Sequence, residues 1–481
     1  MRLASALILA ACLVAAGCTR LTPEQQLIND AAKALGGVEQ VQQLTSLALE
    51  GEGTQYNLGQ DVLPGASGQT FTVTEYTRTV DPVAGRVRTE LTRTPNFAFF
   101  QGPAPQRQVQ GLDGAVGYNI APNGTATRIP DAAAADRKAE LYHHPLVAVR
   151  AALDPAAKLA NLRTEGAESL IDVTAADGQA FTLAVDATSR QPTRVQTRTY
   201  NTNLGDVVIE TAFGDYKAAA GLTLPATLTT RTDDFTTAVV RVANQAVNAA
   251  GADLAAPADA ANAPAISGIP PANVTVEQLA KGIWLLAGQS HHSVLVEFSD
   301  HARLFEAPQN EVRTLAVIAK AREVLPGKPL THLVNTHHHF DHSGGIRAAI
   351  SEGLTLVTHA ANGPFYEQVA SRPHTIVQDA LAKNPKELKL ELISADTVVG
   401  DDTQSFTLIP VTSAHSESML VAYFPKDRLL VEVDVYTPGA AAQSFAAKFK
   451  ADLEARKLRI DRIVPLHGAV VPYAQFVKEA I

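Results

Sequence analysis

Cysteine is almost missing from this sequence, and both copies stand at its beginning. The 481 residues include only Cys12 and Cys18. Residues 19–481 therefore cannot form a disulfide among themselves, bind a metal through a thiolate or use a cysteine nucleophile. Chemistry in that part of the chain must rely on histidine, carboxylate or hydroxyl groups. Since 12 of the 14 histidines lie at or after His291, the second half of the chain is the first place to search.

Runs of basic residues are missing as well. The chain carries 40 lysine and arginine residues against 49 aspartate and glutamate residues, a formal net charge of −9. Because it has no basic run, the sequence lacks the electrostatic pattern of nucleic-acid-binding proteins, and we expect no nucleic-acid partner. Hydrophobic residues make up 46% of the chain, which is enough for a sizeable core. At about 150 residues per domain, the length predicts two or three domains.

Long apolar runs are missing except at the N-terminus. Arg2 precedes an apolar stretch over residues 3–16, which is too short for an ordinary membrane-spanning helix and typical of a signal peptide. Residues 14–19 (VAAGCT) resemble a bacterial lipobox, in which the cysteine is lipidated after cleavage. The sequence thus predicts a signal peptide over residues 1–17 and export to the periplasm. A lipidated Cys18 would tether the protein to the outer membrane, whereas simple cleavage would release it.

Residues 22–247 are predicted to form a β-rich domain that begins with one helix. Residues 22–25 (TPEQ) supply a hydroxyl N-cap, a first-turn proline and a capping-box glutamine, and Gly36 and Gly37 end the helix. Short runs of alternating polarity then predict an antiparallel sheet with one buried face. Among them are strands at 181–185, 207–213 and 237–242. His143 and His144 have no carboxylate nearby in sequence, and we interpret them as part of a surface loop.

The first domain resembles the periplasmic lipoprotein-carrier half-barrels. The likeness rests on the order of one helix, a Gly-Gly pair and a long β-meander, and on the segment 215–225 (DYKAAAGLTLP).

Residues 248–273 are mostly alanine, proline, glycine, asparagine and aspartate, and we interpret them as a linker. Residues 274–481 then alternate strands and helices, as in an α/β domain. Strands are expected at 282–286, 293–297, 303–306, 332–335, 354–358, 406–410, 419–424, 428–433 and 462–465, and helices at 311–324, at 345–351 and around residues 445–453.

The strongest chemical signal is the segment 333–345, which reads LVNTHHHFDHSGG. An apolar strand ends there, a polar cluster follows, and two glycines lead into the next helix. A loop at a strand end can turn several side chains toward one point. Zn²⁺ accepts imidazole and carboxylate ligands without any thiolate. The segment therefore predicts a metal site built from His337, His339, Asp341 and His342.

This HxHxDH pattern resembles that of the metallo-beta-lactamase-fold hydrolases, and later positions continue the likeness. A histidine follows a later strand (His415), an aspartate ends the next hairpin (Asp434), and a last histidine follows a short C-terminal strand (His467). The resemblance covers about residues 274–481. The fold class it implies, together with the first domain, is α+β: an N-terminal antiparallel half-barrel-like sheet and a C-terminal αβ/βα sandwich of the metallo-beta-lactamase type.

The resemblance also implies a site with two zinc ions per chain. One zinc would take His337, His339 and His415, the second would take Asp341, His342 and His467, and Asp434 would bridge them. A hydroxide shared by the metals would attack the carbonyl of a small-molecule ester, lactone, thioester or amide. Asp341 is the expected catalytic residue, because its carboxylate can hold and orient that hydroxide.

The sequence departs from the family pattern near two of these positions. Val433 stands where a glycine commonly precedes the bridging aspartate, and Glu432 is the alternative bridging ligand. The turn after the third strand carries Glu306 where an aspartate is common, which changes the expected support around the ligands. His338 is expected to turn away from its neighbours, toward outer-shell groups or solvent. His291 and His292 are candidates for the pocket wall.

Two other functions remain open at this point. A mononuclear iron oxidoreductase acting on sulfur compounds would use mainly His337, His339 and His415, but retention of Asp341, His342 and His467 argues against it. A binding protein would carry a lipid or lipoprotein in the N-terminal sheet, and an apolar cavity in that sheet would support this alternative.

Overall fold

The computed structural model describes residues 20–65, 68–98, 102–249 and 253–481. The predicted signal peptide and Cys18 lie outside the described residues. Among the described helices, none is both long enough and apolar enough to cross a membrane.

The first helix begins where the sequence predicts it. Thr22 accepts a hydrogen bond from the backbone nitrogen of Gln25 at 3.2 Å, and the Gln25 side chain accepts one from the Thr22 nitrogen at 3.0 Å. This reciprocal capping box satisfies two backbone donors that a helix start leaves unpaired. The N-terminal helices are α1 (Pro23–Leu35), α2 (Val38–Gln42), α3 (Asp131–Ala139) and α4 (Pro145–Ala152), with a 3₁₀ turn at Glu140–Tyr142.

The strands of the N-terminal region form one large antiparallel sheet, as predicted. They are β1 (Leu47–Tyr56), β2 (Thr70–Asp81), β3 (Arg86–Pro95), β4 (Gln106–Asp113), β5 (Val116–Ile120), β6 (Ala126–Arg128), β7 (Lys158–Glu165), β8 (Glu168–Thr174), β9 (Ala180–Asp186), β10 (Pro192–Asn201), β11 (Gly205–Ala219), β12 (Leu222–Thr232) and β13 (Phe235–Val247). Successive strands pair as hairpins, and β1 pairs with β13, which joins the two halves in the order 6-5-4-3-2-1-13-12-11-10-9-8-7. The likeness to a lipoprotein-carrier half-barrel stays a prediction.

The buried face of this sheet packs on α1 and α4. Leu27, Leu35, Leu146 and Val149 belong to one apolar cluster with residues of the strands, including Leu183. Removing that apolar area from water is what holds helices and sheet together.

The surface-loop interpretation of His143 and His144 is wrong. Both side chains are buried, at 8% and 4% exposure. The ring nitrogens of His143 lie 2.9 Å from the Thr211 hydroxyl and 3.0 Å from the Thr197 hydroxyl. Both imidazoles line a cavity of about 290 Å³ inside the sheet, whose wall combines apolar residues such as Leu47 with charged and polar groups. The described residues thus form a mixed cavity there, and not the apolar one that a lipid carrier predicts.

Residues 253–273 run along the N-terminal sheet and include the short helix α5 (Ala258–Ala261). The Ile266 carbonyl accepts a hydrogen bond from the Asp131 nitrogen at 2.9 Å, and the Ala263 carbonyl accepts one from Arg128 at 3.0 Å. Ala260 is fully buried. The segment read as a linker from its composition therefore packs through its backbone and small side chains.

The C-terminal region is a sandwich of two sheets, as the predicted fold class requires. Its strands are β14 (Thr275–Ala280), β15 (Ile283–Ala287), β16 (Ser293–Glu297), β17 (Ala302–Phe305), β18 (Leu330–Val334), β19 (Thr355–His359), β20 (Leu390–Ile393), β21 (Thr397–Gly400), β22 (Ser405–Val411), β23 (Met419–Phe424), β24 (Leu429–Glu432), β25 (Arg462–Pro465) and β26 (Val471–Pro472). Its helices are α6 (Glu311–Val324), α7 (Phe340–Ser343), α8 (Ile346–Ser351), α9 (Gly363–Ser371), α10 (Ala380–Lys383), α11 (Ala446–Ala455) and α12 (Tyr473–Glu479), with a 3₁₀ turn at Ala360–Asn362.

Strands β14–β20 form one sheet in sequence order, and β21–β26 form the other. Apolar side chains of the facing sheets, such as Val294 and Leu408, share one core. Helices α6 and α8 cover the outer face of the first sheet through Val317 and Ile350. The pairs β17–β18, β18–β19 and β24–β25 are parallel, so several strands end at the same edge of the sandwich.

The N-terminal sheet contacts this sandwich through its loops. Arg372, after α9, pairs with Asp233 and donates to the Leu204 carbonyl. Asp206, in the β10–β11 hairpin, accepts a hydrogen bond from the Thr375 nitrogen at 3.0 Å. These contacts join residues more than a hundred positions apart and fix the two regions against each other.

Candidate metal centre

The segment of the HxHxDH pattern lies at the carboxyl end of β18 and continues into α7. The Leu420 nitrogen donates to the Thr336 carbonyl at 2.8 Å, which ties the segment to β23 of the other sheet. Asn335 donates its side-chain amide to the His342 carbonyl at 2.9 Å, and Tyr366 donates its hydroxyl to the His337 carbonyl at 3.1 Å. The buried amide and phenol therefore hold the backbone of the loop rather than face the pocket.

The other three predicted ligands come from the second sheet. His415 follows β22, Asp434 follows β24, and His467 follows β25. Asp434 has a φ of 57°, a left-handed conformation that aspartate tolerates better than most residues. Glu432, the alternative bridging ligand, is fully buried at the end of β24.

All seven predicted ligands come together in two adjoining groups, and potential ligand atoms within each group lie within 4.8 Å of one another. The first group is His337, His339, His415 and Asp434, and the second is His291, Asp341, His342 and His467. Glu432 is in neither group. His291 is an addition that sequence reasoning placed only on the pocket wall.

Asp434 contacts histidines of both groups. Its carboxylate oxygens lie 3.0 Å from Nε2 of His415, of His342 and of His467, and 3.4 Å from Nε2 of His337. A carboxylate in the middle of four imidazoles suits the position of a bridging ligand between two cations.

Four of the histidines are oriented through their outer ring nitrogens. His337 Nδ1 lies 3.1 Å from the Thr336 hydroxyl, and His342 Nδ1 lies 3.0 Å from the Glu306 carboxylate. Two backbone carbonyls complete the set, that of Ser290 at 3.0 Å from His467 Nδ1 and that of Asp61 at 2.9 Å from His339 Nε2. Outer partners of this kind fix the tautomer and the ring plane of metal-binding histidines.

Burial and mutual attraction set the protonation states of the site. Burial lowers the pKa of His337 to about 3, so its ring is neutral at neutral pH, the form that binds metals. Burial alone would raise the pKa of Asp434, but the imidazoles of His342, His467 and His415 outweigh it and hold that pKa well below its usual value. Burial raises the pKa of Glu432 well above its usual value, and the nearby Asp434 adds to this. A raised pKa favours the protonated form of Glu432, which binds a cation less well than a carboxylate does.

The donor set fits divalent zinc. Imidazole and carboxylate are ligands that zinc accepts, and no thiolate is needed. His339 offers the sharpest indication, because its Nδ1 is buried without a hydrogen-bond partner among the described residues, while its Nε2 is occupied by the Asp61 carbonyl. An unpartnered buried ring nitrogen normally costs free energy, and a metal ion would satisfy it.

The two groups open on a cavity of about 620 Å³. His291, Asp341, His415, Asp434 and His467 form its polar floor, and its wall includes Tyr436, Phe445 and a run of alanines at 440–442. The lining combines a few polar groups with an apolar wall, which is typical of small-molecule sites.

Sequence reasoning missed two residues of this site, Gln60 and Asp61, which belong to the loop between β1 and β2 of the N-terminal sheet. Gln60 donates its side-chain amide to Asp341 at 2.7 Å. Nothing in the sequence around Gln60 indicates a contact with a residue 281 positions later. His338, expected to face outer groups or solvent, is buried at 2% exposure beside Phe365.

The family model of the metallo-beta-lactamase superfamily matches residues 298–431. A comparison with curated proteins finds no match. Similar solved structures include a metallo-beta-lactamase from Pontibacter korlensis (17% identity, 43% of this chain and 97% of that one, TM-score 0.33) and FIM-1 from Pseudomonas aeruginosa in its mono-zinc form (17%, 44% and 94%, TM-score 0.35). Another is the flavodiiron core of Flv1 from Synechocystis (15% identity, 44% and 60%, TM-score 0.35). The predicted resemblance to the superfamily is confirmed for the matched residues, which include five of the seven predicted ligands.

Proposed function

We propose that the protein is an exported zinc-dependent hydrolase that cleaves an ester, lactone, thioester or amide of a small molecule. The observation that carries this proposal is the convergence of seven ligand-type side chains around Asp434, with the outer nitrogens of four histidines held by fixed partners. The superfamily match supports metal-dependent hydrolysis at the coarser level. Zinc as the metal, two ions per chain and a carbonyl substrate are the finer parts of the proposal.

In this proposal, His337, His339 and His415 would hold one zinc, Asp341, His342 and His467 would hold the other, and Asp434 would be shared. Zinc, when bound, lowers the pKa of water and stabilises negative charge that develops on a substrate oxygen.

The side chains of the cavity would supply the rest of the catalysis. Asp341 has one carboxylate oxygen 2.7 Å from the Gln60 amide and the other 3.2 Å from His291 Nε2, so its orientation is defined on both sides. Its side chain is 38% exposed toward the cavity, which lets the carboxylate accept a hydrogen bond from an attacking water and orient it. The apolar wall at Tyr436 and Phe445 would hold the substrate group next to the carbonyl.

The proposed location is the periplasm, because of the signal-peptide pattern at 1–17. We propose further that Cys18 is lipidated and tethers the protein to the outer membrane.

Metal analysis of the purified mature protein by mass spectrometry tests the centre of the proposal. We expect about two zinc ions per chain, and about one in Asp341→Ala, because the second group loses a ligand. Asp300→Ala is a matched control, since Asp300 is an exposed aspartate of the same region, and it should retain both ions. The two-zinc protein should hydrolyse a member of an ester, thioester, lactone and beta-lactam panel, and Asp341→Ala should not. A single iron that Asp341→Ala leaves in place would overturn the hydrolase and favour the oxidoreductase alternative.

A further inference from the structure

The loop between β1 and β2 reaches from the N-terminal sheet into the metal centre. Its described residues, 57–65 and 68–69, are called the docking loop below. The loop is closed at its base, where the Asn57 nitrogen donates to the Gln69 carbonyl at 3.1 Å. Its tip turns at Gly59, which has a φ of 78°.

Backbone carbonyls of the docking loop accept hydrogen bonds from two of the four loops of the sandwich that carry candidate ligands. The Gly59 carbonyl accepts a hydrogen bond from the Phe340 nitrogen at 3.0 Å, inside the HxHxDH segment. The Val62 carbonyl accepts one from the Glu417 nitrogen at 2.8 Å, two residues after His415. The docking loop thus bridges the HxHxDH segment and the loop that carries His415.

The Asp61 carbonyl decides which nitrogen of His339 is free. A carbonyl oxygen can only accept a hydrogen bond, so His339 Nε2, at 2.9 Å, must carry the proton. The lone pair then lies on Nδ1, the buried nitrogen that has no partner among the residues that the structure describes. Without this carbonyl the proton could occupy either nitrogen, and the ring would lose its fixed orientation.

Gln60 acts in the same way on Asp341. Its amide holds one carboxylate oxygen at 2.7 Å and leaves the other to face Nε2 of His291 at 3.2 Å and Nε2 of His342 at 3.6 Å. Because Asp341 is partly exposed, its side chain would rotate more freely without this donor.

We propose that the docking loop positions ligands of the metal centre, so that zinc binding depends on the N-terminal sheet. Asp61 acts through its carbonyl on His339 and Gln60 acts through its amide on Asp341, and both are positioning residues. The inference rests on the proposed function only in that the ligands bind zinc. The N-terminal sheet would thus position two ligands of the site, His339 and Asp341, through contacts that the sandwich alone does not provide.

Gly59→Ala in the full-length chain tests the role of the Asp61 carbonyl, which a side-chain substitution at 61 would not remove. A Cβ at Gly59 would overlap the ring of Phe340, so the loop or that ring must shift where the loop meets the HxHxDH segment. Gly221→Ala is the matched control, because Gly221 has a φ of 79° in a turn of the same sheet and a Cβ there meets nothing within 4 Å. We expect zinc affinity, measured by competition with a chromophoric chelator, to fall about 10- to 100-fold at one site in Gly59→Ala, as for lost outer partners of metal ligands, and not in Gly221→Ala.

Gln60→Met tests the second contact while preserving the volume of the side chain. Methionine cannot donate to Asp341, so zinc affinity at one site should fall by about tenfold. Gln278→Met, at an exposed glutamine of β14, is the control and should bind zinc as the wild type does. Hydrogen exchange of the β-strand peptides would show that each variant keeps its fold.

The outcomes separate this inference from the proposed function. If the wild type binds zinc and both docking-loop variants bind it equally well, the inference is overturned and the proposed function stands. A wild type that binds no zinc would overturn both. Weaker zinc binding in Gly59→Ala or Gln60→Met with unchanged exchange elsewhere, and normal binding in the controls, would establish the role of the loop.

Discussion

Two regions of this protein bury histidines, and their surroundings differ more than their pKa values do. Burial lowers the pKa of His143 in the N-terminal sheet and of His337 in the metal centre to about 3 in both cases. His143 has each ring nitrogen next to a threonine hydroxyl. His337 has one nitrogen next to a hydroxyl and the other facing Asp434 and His415.

The difference shows what distinguishes a structural histidine from a candidate metal ligand. A hydroxyl both donates and accepts, so two threonines satisfy a neutral imidazole completely. Carboxylates and other imidazoles leave lone pairs pointing at one another, which is favourable only when cations or protons lie between them. Burial and a lowered pKa alone therefore do not identify a candidate site, whereas the convergence of several imidazoles on one carboxylate does.

The largest effect on zinc affinity is expected from a substitution of Asp434, the carboxylate that the imidazoles of the candidate metal centre surround. Asp434→Asn keeps the shape of the side chain and tolerates the left-handed backbone, but removes the negative charge shared by both groups. We expect zinc affinity, measured by chelator competition, to fall by about 100-fold or more, beyond the range seen for outer partners. Glu432→Gln is the control, because Glu432 is fully buried and belongs to neither group of candidate ligands, so its replacement should cause no loss of zinc. If Asp434→Asn kept both ions and Glu432→Gln lost one, the assignment of the bridging ligand would be wrong.

A smaller effect is expected from Glu306, which supports the site without belonging to either group. One oxygen of its buried carboxylate lies 3.0 Å from His342 Nδ1, and the other accepts a hydrogen bond from the Thr336 nitrogen at 2.7 Å. Glu306→Gln keeps one acceptor and removes the charge, so we expect zinc affinity to fall about 10-fold, the low end for outer partners. Glu277→Gln, at an exposed position of β14, should leave zinc affinity unchanged. Equal affinities in the two variants would show that Glu306 acts on the fold alone.

Much of the C-terminal region was predictable because its signals are local. The bounds of helix α6 and of strands β16, β23 and β25 match the predicted ones, since each is written in a short periodic run with clear ends. The seven candidate ligands were found because each lies after a strand whose end the sequence marks, and the structure brings their side chains together; their role as ligands stays a prediction.

What was not predictable depends on contacts between distant residues. Gln60 and Asp61 lie in an ordinary polar loop, and their role appears only when the N-terminal sheet meets the sandwich. His143 and His144 stand before a proline, which is equally typical of a surface turn. The threonine partners of His143, Thr197 and Thr211, lie in strands more than 50 residues later.

The smallest expected effect concerns the other member of the comparison, the buried His143, whose ring nitrogens both lie next to threonine hydroxyls. His143→Phe should leave zinc affinity unchanged. It should lower the free energy of unfolding at pH 7 by roughly 1–3 kcal/mol, because Thr197 and Thr211 lose a hydrogen-bond partner. Hydrogen exchange of peptides from β10 and β11 measures this loss in the sheet itself.

The same variant should also change how the stability of the sheet depends on pH. Burial, with a smaller contribution from Arg78, lowers the pKa of His143 to about 3, against about 6.5 in an unfolded chain. Burial lowers the pKa of His144 to about 3 as well. Between these values the unfolded chain binds protons that the folded sheet does not, so stability is complete above pH 6.5 and falls as the pH drops toward 3.

Each of the two histidines contributes a slope of about 1.4 kcal/mol per pH unit in the middle of that range. Between pH 6 and pH 4, the free energy of unfolding of the wild-type sheet should therefore fall with the slope that corresponds to about two protons taken up on unfolding. In His143→Phe the slope should correspond to about one proton. Because zinc also leaves its ligands in acid, the slopes are compared on peptides of β10 and β11 with the metal removed from both proteins. Equal slopes would mean that His143 takes up a proton within the folded sheet, contrary to the two threonine contacts that the structure shows.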